Sequence, residues 1–576
     1  MRRFLAALTL GLVPLMAQTA PGRRWLPNQW PKQDLARYLA LENDWGRAQP
    51  AAVASQAMIA GTSGPVAVHA GLEALKHGGS AADAALTTSL AQIALSAGGA
   101  ISYAGLLTAV YYDAASGKVY TLNAGYNTVR GETAPRTIPG PGGHSGRTAL
   151  VPGFMAGVEA LHRRFGKLPF ATLFGPAIWI ARNGIAVSPP VGGWLVSQKD
   201  VIKRLPETRR IFTRKDGELY RTGDLLRQPE LAQTLKQVAK HGSGYMYTGK
   251  WARHFVAALQ REDGRMTLGD LAEYRALWTE PLETSYREYR VASVGLPGYG
   301  GLITLGSLKL AEVAGLKKYG HYTESADALY YLIQMTRVEK LFVTMAPRML
   351  RNYFPGVDPS PASRLTRDTA ERIWALIQKD MTRPEGSGSS GPNHSTGVLA
   401  VDEQGNVAAI LHSANDTIWG TTGIFVDGVS IPDSASFQQA EIAAAGPGAR
   451  LPDSTNPLIV LKDGKPVLAS TAMGFGLHEA TLQNLVNVLD FGMDPKTSVD
   501  QPTFRGASPR EYRKEVVGEG DFSPALLDGL RARGQPVEIV SKYDQLGFWI
   551  GIQIDPTAHR LAAGVTSAMN ALAEGY

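Results

Sequence analysis

The spacing of apolar positions predicts two consecutive helices near the start of the chain. Apolar residues recur at helical spacing over residues 66–77, and two glycines end that stretch. Ser80 then precedes a run of small residues, 81–94, and its side chain suits the position that caps a helix N-terminus. Small side chains permit close packing, so we expect this second helix to be buried.

Strand-like patterns lie at both ends of a helical middle. Residues 106–112 and 119–122 have the composition of strands and are joined by a turn. Residues 150–350 are mostly helical in pattern, with proline and glycine punctuation. Short strands and turns follow residue 395, and a helix is predicted over 479–489. This order predicts a layered α+β domain.

A flexible segment ends at two adjacent hydroxyl residues. Residues 386–391 are mostly glycine and serine, and Ser395 and Thr396 follow shortly after them. Two apolar runs then begin, separated by a tight turn. This layout suits a chain that cuts itself and uses the exposed hydroxyl as a nucleophile.

The turn between these two runs predicts their register. Residues 403–405 fit a three-residue hairpin loop, in which the final glycine takes the left-handed region. If Asp402 pairs with Asn406, counting along both strands puts Ser395 opposite Ser413. The two serines then point to the same face of the hairpin.

The same count leaves one alternative open. Thr396 falls opposite His412, on the other face, and a slip of one residue would make Thr396 the nucleophile. His412 is therefore interpreted as structural. An ordinary hairpin with polar residues at its end also fits the pattern.

Composition narrows the class of protein. The chain has 576 residues, of which 44% are hydrophobic and 19% charged, as in globular proteins. Its net charge of +7 comes without a long basic block, so no nucleic acid partner is expected. Cysteine is absent, which excludes disulfides, thiolate catalysis and cysteine-ligated metals.

The first twenty residues resemble an export signal. Arg2 and Arg3 precede a short apolar run over residues 4–17, with cleavage expected after Ala17 or Ala20. A retained membrane anchor is the alternative, but the run is short for a spanning helix. We therefore expect a secreted or periplasmic protein with no stable membrane span.

The chain resembles the gamma-glutamyltransferase family of N-terminal nucleophile hydrolases. No single motif decides this, but the order and spacing of several motifs do. The segments that carry the resemblance are residues 70–85, 151–157, 268–274, 300–301, 402–406 and 457–464.

The resemblance implies a four-layer αββα sandwich and a precursor that cleaves itself between His394 and Ser395. The signal peptide would then be residues 1–20, followed by an N-terminal extension at 21–50. The large subunit would be residues 51–394 and the small subunit 395–576, and the two would stay associated as one intertwined domain. It further implies a small-molecule amide substrate and no cofactor or metal.

The family's catalytic residues can be carried over by position. Ser395 stands where the family usually has a threonine nucleophile, and Ser413 matches its second hydroxyl residue. Asn415 matches a residue that binds the substrate. The oxyanion donors fall on the backbone of Gly474 and Phe475.

Several substrate positions depart from the family. The arginine that holds the substrate carboxylate falls on Gly125 in an ungapped match. Arg130 would replace it if the loop carries an insertion, and a solvated loop arginine is the alternative.

The family's paired acidic residues are also changed. Its second aspartate becomes Ser436, with Asp433 nearby, and its serine pair becomes Asp453-Ser454. A site that loses paired charges usually loses the charged ligand that they held. An amidase for a substrate other than a gamma-glutamyl compound, or a non-cleaving binding protein, are therefore alternatives to a true gamma-glutamyltransferase.

One further polar pair, His478-Glu479, lies at a predicted helix start. It lacks the second histidine of a zinc site and is interpreted as a capping or surface pair.

Overall fold

The computed structural model describes residues 25–379, 395–416, 418–506, 515–541 and 547–576. The expected signal peptide and His394 lie outside these ranges. The strands are β1 Ala52–Ala54, β2 Met58–Gly61, β3 Leu106–Asp113, β4 Lys118–Ala124, β5 Ile185–Ala186, β6 Leu225–Leu226, β7 Leu277–Thr279, β8 Leu282–Tyr286, β9 Tyr289–Ser293, β10 Ser395–Val401, β11 Val407–Ser413, β12 Phe425–Val426, β13 Val429–Ser430, β14 Leu458–Lys462, β15 Lys465–Met473, β16 Phe504–Gly506, β17 Glu515–Gly518, β18 Val537–Val540, β19 Phe548–Asp555, β20 Arg560–Val565 and β21 Leu572–Gly575.

The helices of the described residues are α1 Lys32–Leu41, α2 Pro65–Lys76, α3 Ala81–Leu95, α4 Phe154–Phe165, α5 Phe170–Leu173, α6 Gly175–Asn183, α7 Pro189–Ser197, α8 Lys199–Arg204, α9 Pro206–Phe212, α10 Pro229–His241, α11 Gly244–Tyr247, α12 Lys250–Arg261, α13 Leu268–Ala272, α14 Gly300–Ala314, α15 Ala326–Thr344, α16 Pro347–Tyr353, α17 Pro361–Arg364, α18 Arg367–Gln378, α19 Gln439–Ala445, α20 Leu477–Leu489, α21 Pro495–Val499 and α22 Pro524–Ala532.

Two seven-stranded sheets form the centre of the molecule. Sheet I has the strand order β21-β2-β10-β11-β3-β4-β7, and sheet II has the order β1-β20-β19-β15-β14-β9-β8. Apolar side chains from both sheets fill the space between them, among them Leu399 and Val401 of β10 and Ala469 of β15. The two sheets therefore pack face to face.

Helices cover the outer face of each sheet. A large core joins α2, α3, α4, α6, α10 and α12 to sheet I. A second core joins α14, α15, α18, α20 and α22 to sheet II. The layers are helix, sheet, sheet, helix, and the predicted four-layer αββα sandwich is confirmed.

The two helices predicted near the start of the chain are present. They form α2 and α3, and Ser80 caps α3 as predicted, accepting the backbone N–H of Asp83 at 3.2 Å. Every residue from Ala81 to Ala94 is buried, as the run of small side chains predicted.

The hairpin register deduced from turn chemistry is confirmed. Ser395 pairs with Ser413 and Thr396 with His412 along β10 and β11. The N–H of Asp402 donates to the carbonyl of Asn406 at 3.1 Å, which closes the three-residue loop. Gly405 has φ +81°, the left-handed conformation that its position in the loop requires.

Both sheets contain strands from before and after residue 395, paired with each other. In sheet I, β10 lies between β2 and β11, and β11 pairs with β3. In sheet II, β14 pairs with β9, and β20 pairs with β1. The sandwich is complete only with both parts of the chain.

The N-terminal extension before β1 packs on the sandwich. Tyr38 of α1 stacks on His69 of α2, with ring centroids 4.0 Å apart, and its hydroxyl donates to Glu574 at 2.5 Å. Glu42 is buried, and its Oε1 accepts the N–H of Val66 at 2.7 Å. This segment therefore joins α2 to the last strand of sheet I.

The interpretation of His478-Glu479 as a capping or surface pair is wrong. Both side chains are buried, because α15 packs across the start of α20. Glu479 forms an ion pair with Lys340 of α15. Burial, with the positive charge of Lys340 adding to it, lowers the pKa of His478 well below its usual value.

None of the helices within the described ranges combines the length and apolar character that a membrane crossing needs.

Candidate active site

Ser395 begins β10 on the face that looks into the space between the sheets. Leu399 and Val401 belong to the inter-sheet core, whereas Val398 and Ala400 belong to the core beneath the helices. Because side chains alternate along a strand, Ser395 shares the face of Leu399. Its own side chain is half-buried at the open end of that space.

Thr396 and His412 lie on the opposite face, against α3. Nε2 of His412 is 3.0 Å from Oε1 of Gln92, and the histidine is completely buried. Burial lowers the pKa of His412 to about 3, so the ring is neutral at ordinary pH. The contact confirms that His412 and Ser395 are on different faces.

Ser413 organises the end of β11 beside Ser395. Its Oγ accepts the backbone N–H of Asn415 at 2.9 Å, and the side chain is 4% exposed. Asn415 has φ +50°, a conformation that asparagine tolerates better than most residues. Ser413 therefore faces Ser395 across the strands and holds the turn that presents Asn415.

The strand of sheet II closest to Ser395 is β15. A Cβ placed on Gly397 would lie only 2.5 Å from Cγ2 of Thr471, so the sheets approach closely here. Continuing both strands by two residues brings Ser395 level with the end of β15. Gly474 and Phe475 follow directly, and Gly474 has φ +86° at this junction of β15 and α20. Their backbone therefore lies at the same end of the sandwich as Ser395.

A buried acidic pair lies behind Asn415. Asp416 is 2% exposed, and its Oδ1 has no hydrogen-bond partner. Burial, reinforced by the charge of Asp433, raises the pKa of Asp416 well above its usual value.

Asp433 lies beside Ser436, the residue on which the family's second aspartate falls. Its Oδ2 accepts the backbone N–H of Thr421 at 3.0 Å and the hydroxyl of the same residue at 2.8 Å. The hydroxyl of Ser436 donates to the same oxygen at 3.4 Å. Asp433 is fully buried, and this oxygen is engaged by the protein itself.

Two side-chain hydroxyl groups donate to the carbonyl oxygen of Ala414. The hydroxyl of Tyr126 donates to it at 2.6 Å, and that of Ser434 at 2.7 Å. The backbone between Ser413 and Asn415 is therefore fixed by side chains from both parts of the chain.

The arginine whose side chain lies beside Gly125 is Arg450 and not Arg130, which the sequence suggested as a replacement. A Cβ on Gly125 would lie 3.3 Å from Cδ of Arg450. The side chain of Arg130 is half exposed and forms an ion pair with Glu273. This placement agrees with the solvated loop arginine that the sequence left as an alternative.

Asp453 and Ser454 pack against the loop that begins α14. Oδ1 of Asp453 accepts the N–H and the hydroxyl of Thr455, the former at 3.0 Å. Burial raises the pKa of Asp453. The carbonyl oxygen of Ser454 would be 2.1 Å from a Cβ on Gly300, so only glycine fits at this first residue of α14.

Sequence reasoning missed three residues that the structure brings to this region. Arg450 and Asp416 gave no signal, because their surroundings come from distant parts of the chain. The third residue, Thr62, directly follows β2 and is fully buried, and its Oγ1 accepts the N–H of Gly397 at 3.0 Å. Thr62 therefore supports the strand that begins at Ser395.

Within the described ranges, no group of three or more acidic or histidine side chains is placed to hold a metal ion.

The four layers form a sandwich of the N-terminal nucleophile hydrolase type. The family model described as Gamma-glutamyltranspeptidase matches residues 67–571. The chain belongs to the gamma-glutamyltranspeptidase family, as its motifs indicated, and the prediction that it is an enzyme is confirmed by that membership.

Curated relatives span two kinds of enzyme. A glutathione hydrolase proenzyme of Pseudomonas sp. (strain A14) is 28% identical over 505 residues, which are 81% of this chain and 84% of the relative. Acylase ACY 1 proenzyme of Pseudomonas sp. (strain SE83) is 28% identical over 406 residues, 68% of this chain and 69% of the relative.

Solved structures share the fold. The crystal structure of cephalosporin acylase from Bacillus halodurans matches with a TM-score of 0.75 and 22% identity, covering 92% of this chain and 97% of that chain. At that identity the match establishes the architecture.

Proposed function

We propose that this protein is an autoprocessed amide hydrolase or acyltransferase with Ser395 as its N-terminal nucleophile. The observation that carries the proposal is the position of Ser395 at the start of β10, opposite Ser413 and facing the space between the sheets. Thr396, the alternative, faces α3 and is 4% exposed.

The first step is cleavage of the chain before Ser395. The hydroxyl of Ser395 attacks the carbonyl of His394, the peptide bond breaks, and the resulting ester is hydrolysed by water. The products are a carboxylate on His394 and a free α-amino group on Ser395. Membership in a family whose relatives are named proenzymes supports this step.

The new amine then serves as the base for turnover. An α-amino group has a pKa of roughly 7.7 to 8.0, so a useful fraction is neutral near pH 7. It takes the proton of the Ser395 hydroxyl as the oxygen attacks a substrate amide, and an acyl ester forms while the amine of the substrate leaves. Water or an acceptor amine then takes the acyl group.

Neighbouring groups supply positioning and charge stabilisation. We assign Ser413 to hold the nucleophile and Asn415 to bind the substrate. The backbone N–H groups of Gly474 and Phe475 are assigned to the oxyanion, where loss of one donor typically costs about 2.7 to 4 kcal/mol. We also assign three residues to the side of the site that faces the substrate, namely Asp433, Asp453 and Ser454. Arg130 is assigned to the protein surface and not to the site.

The two fragments are expected to remain one folded unit of a large subunit, residues 51–394, and a small subunit, residues 395–576. Strands β10 and β11 of the small subunit pair with β2 and β3 of the large one. Separation would expose the edges of both sheets and the core between them.

The site is proposed to act outside the cytoplasm, in the periplasm or after secretion. The basic and apolar pattern of residues 1–20 supports export. Its substrate is proposed to be a small amide, since curated relatives are named for glutathione and for acyl groups.

A denaturing gel of purified protein tests the proposal. We expect two fragments from the wild type and an intact chain from Ser395→Ala, with Ser395→Thr still cleaved. Thr396→Ala is the matched control and should cleave normally. An intact wild-type chain would favour a binding protein, and cleavage that survives Ser395→Ala but fails in Thr396→Ala would move the nucleophile to Thr396.

A further inference from the structure

The row of residues that begins at Ser395 leads across sheet I to Gly125. Ser395 lies opposite Ser413, Ser413 lies opposite Leu106, and the next strand, β4, ends one residue before Gly125. Three strand spacings of about 4.8 Å place Gly125 roughly 14 Å from Ser395. An acyl chain on Ser395 that follows this row extends toward Gly125.

Arg450 fills the space at the far end of this row. A Cβ on Gly125 would lie 3.3 Å from Cδ of Arg450 and 3.5 Å from Oδ2 of Asp453. A residue with a side chain at position 125 would therefore compete with both groups for one space.

The hydrogen-bonding capacity of Arg450 is almost fully used within the protein. Its Nη1 donates to the carbonyl and to Oδ1 of Asn123 at 2.6 and 2.8 Å. Its Nε donates to Oδ1 of Asn127 and its Nη2 to the carbonyl of Arg275, both at 2.6 Å. These bonds use four of the five N–H groups of a guanidinium. The guanidinium also lies 4.8 Å from the ring centre of Tyr274.

The acidic side chain of Asp453 lies beside Arg450. Asp453 is 6% exposed, and its Oδ2 accepts Nδ2 of Asn123 at 3.2 Å. Arg450 and Asp453 thus bind the same asparagine from two sides. This end of the row presents a nearly neutral wall in which the protein itself uses both oxygens of Asp453 and all but one N–H of Arg450.

We propose that Arg450 is a specificity-determining residue that excludes a carboxylate from the far end of the acyl site. The preferred acyl group is therefore one without a carboxylate at that end. A carboxylate brought to this wall would lose water and gain at most the one N–H of Arg450 that the protein does not use, which is unfavourable. This inference rests on the proposed function and specifies its substrate class.

Four p-nitroanilides that share a butanoyl chain and differ only in the groups on its terminal carbon test the proposal. Butyryl carries no charge, 4-aminobutyryl carries an amine, glutaryl carries a carboxylate, and gamma-glutamyl carries both. For the wild-type cleaved enzyme we expect kcat/KM for the two acyl groups without a carboxylate to exceed that for the two with one by roughly tenfold or more.

A swap of the residues at positions 125 and 450 gives the reciprocal test. In Gly125→Arg/Arg450→Gly the guanidinium projects from position 125 and is released from its partners around Asn127. We expect the ratio of glutaryl to butyryl kcat/KM to rise roughly tenfold or more. Arg163→Gly, at a highly exposed position on α4, is the matched control and should keep the wild-type ratio.

The outcomes separate this inference from the proposed function. A cleaved wild type that turns over glutaryl or gamma-glutamyl anilide as fast as butyryl anilide overturns the specificity claim alone. A cleaved enzyme that leaves all four anilides intact also overturns it, as does a cleaved swap with the wild-type ratio. An uncleaved wild-type chain that leaves all four intact overturns both. If the swap does not cleave, the wild-type comparison decides by itself.

Discussion

The hydroxyl of Ser413 accepts the backbone N–H of Asn415 at 2.9 Å while its strand position places it opposite Ser395. One side chain therefore links the nucleophile candidate to the turn that presents Asn415, the residue that we propose binds the substrate. Because Asn415 holds φ +50°, the turn depends on such local support.

Replacing Ser413 tests this link. Ser413→Ala leaves the N–H of Asn415 without its acceptor, and an unsatisfied buried donor costs about 1 to 3 kcal/mol. We expect kcat to fall roughly tenfold or more and self-cleavage to slow, because both steps use the same hydroxyl. Ser413→Thr keeps the hydroxyl and should retain most of the activity. Equal rates in Ser413→Ala and wild type, measured with the best anilide substrate, would remove Ser413 from the mechanism.

The close approach of Gly397 to Thr471 predicts a compensating pair of changes. Gly397→Ala forces a methyl group against Cγ2 of Thr471, where a Cβ would lie at 2.5 Å. We expect a loss of about 1 to 3 kcal/mol in stability and slower self-cleavage, since the sheets must separate beside Ser395. Thr471→Ser removes the obstructing methyl group.

Thermal unfolding and the rate of precursor cleavage measure this pair. The double variant Gly397→Ala/Thr471→Ser should recover most of both losses. If the two changes are instead simply additive, the contact does not govern the spacing of the sheets at this point.

His412 predicts a loss of stability in acid. Its pKa is lowered by burial from 6.5 to about 3 in the folded protein. A lowered pKa gives stability that is full above pH 6.5 and is lost as pH falls toward 3, at about 1.4 kcal/mol for each pH unit.

Thermal unfolding of His412→Gln across pH 3 to 7 checks this expectation. The variant cannot titrate, so the difference between wild type and variant should shrink as pH falls. The pH dependence of kcat should be unchanged, because the ring faces α3 and not Ser395. If the difference in melting temperature between wild type and His412→Gln is the same at every pH, His412 does not cause this acid sensitivity.

Glu42 predicts the opposite trend in alkali. Burial raises its pKa from 4.5 to about 8. A raised pKa gives stability that is full below pH 4.5 and is lost as pH rises through 8. Glu42→Gln keeps an acceptor for the N–H of Val66 and has no charge to bury, so it should be more stable than wild type at pH 9. If wild type and Glu42→Gln have equal melting temperatures at pH 5 and also at pH 9, the raised pKa of Glu42 is contradicted.

Local turn chemistry was sufficient to predict the part of the site on the hairpin. The three-residue loop closes between Asp402 and Asn406, and counting from it gives the pairing of Ser395 with Ser413. The helix cap at Ser80 was predictable for the same reason, since its partner is three residues away.

The rest of the site depends on contacts between distant segments. Arg450 reaches Asn123 across 327 positions of the chain, and no local pattern marks that contact. The interpretation of His478 and Glu479 as a capping or surface pair was wrong because only the helix start is visible in the sequence. The packing of α15, with Lys340, over that helix start is not visible there. The specificity role that we propose for Arg450 therefore rests on contacts that no local sequence pattern marks.

The mass of each polypeptide in the purified protein tests the central claim most directly. We predict a fragment with the mass of residues 395–576 and a free N-terminal serine, absent from Ser395→Ala. A full-length chain, or a fragment that begins at Thr396, would contradict the assignment of Ser395 as the nucleophile.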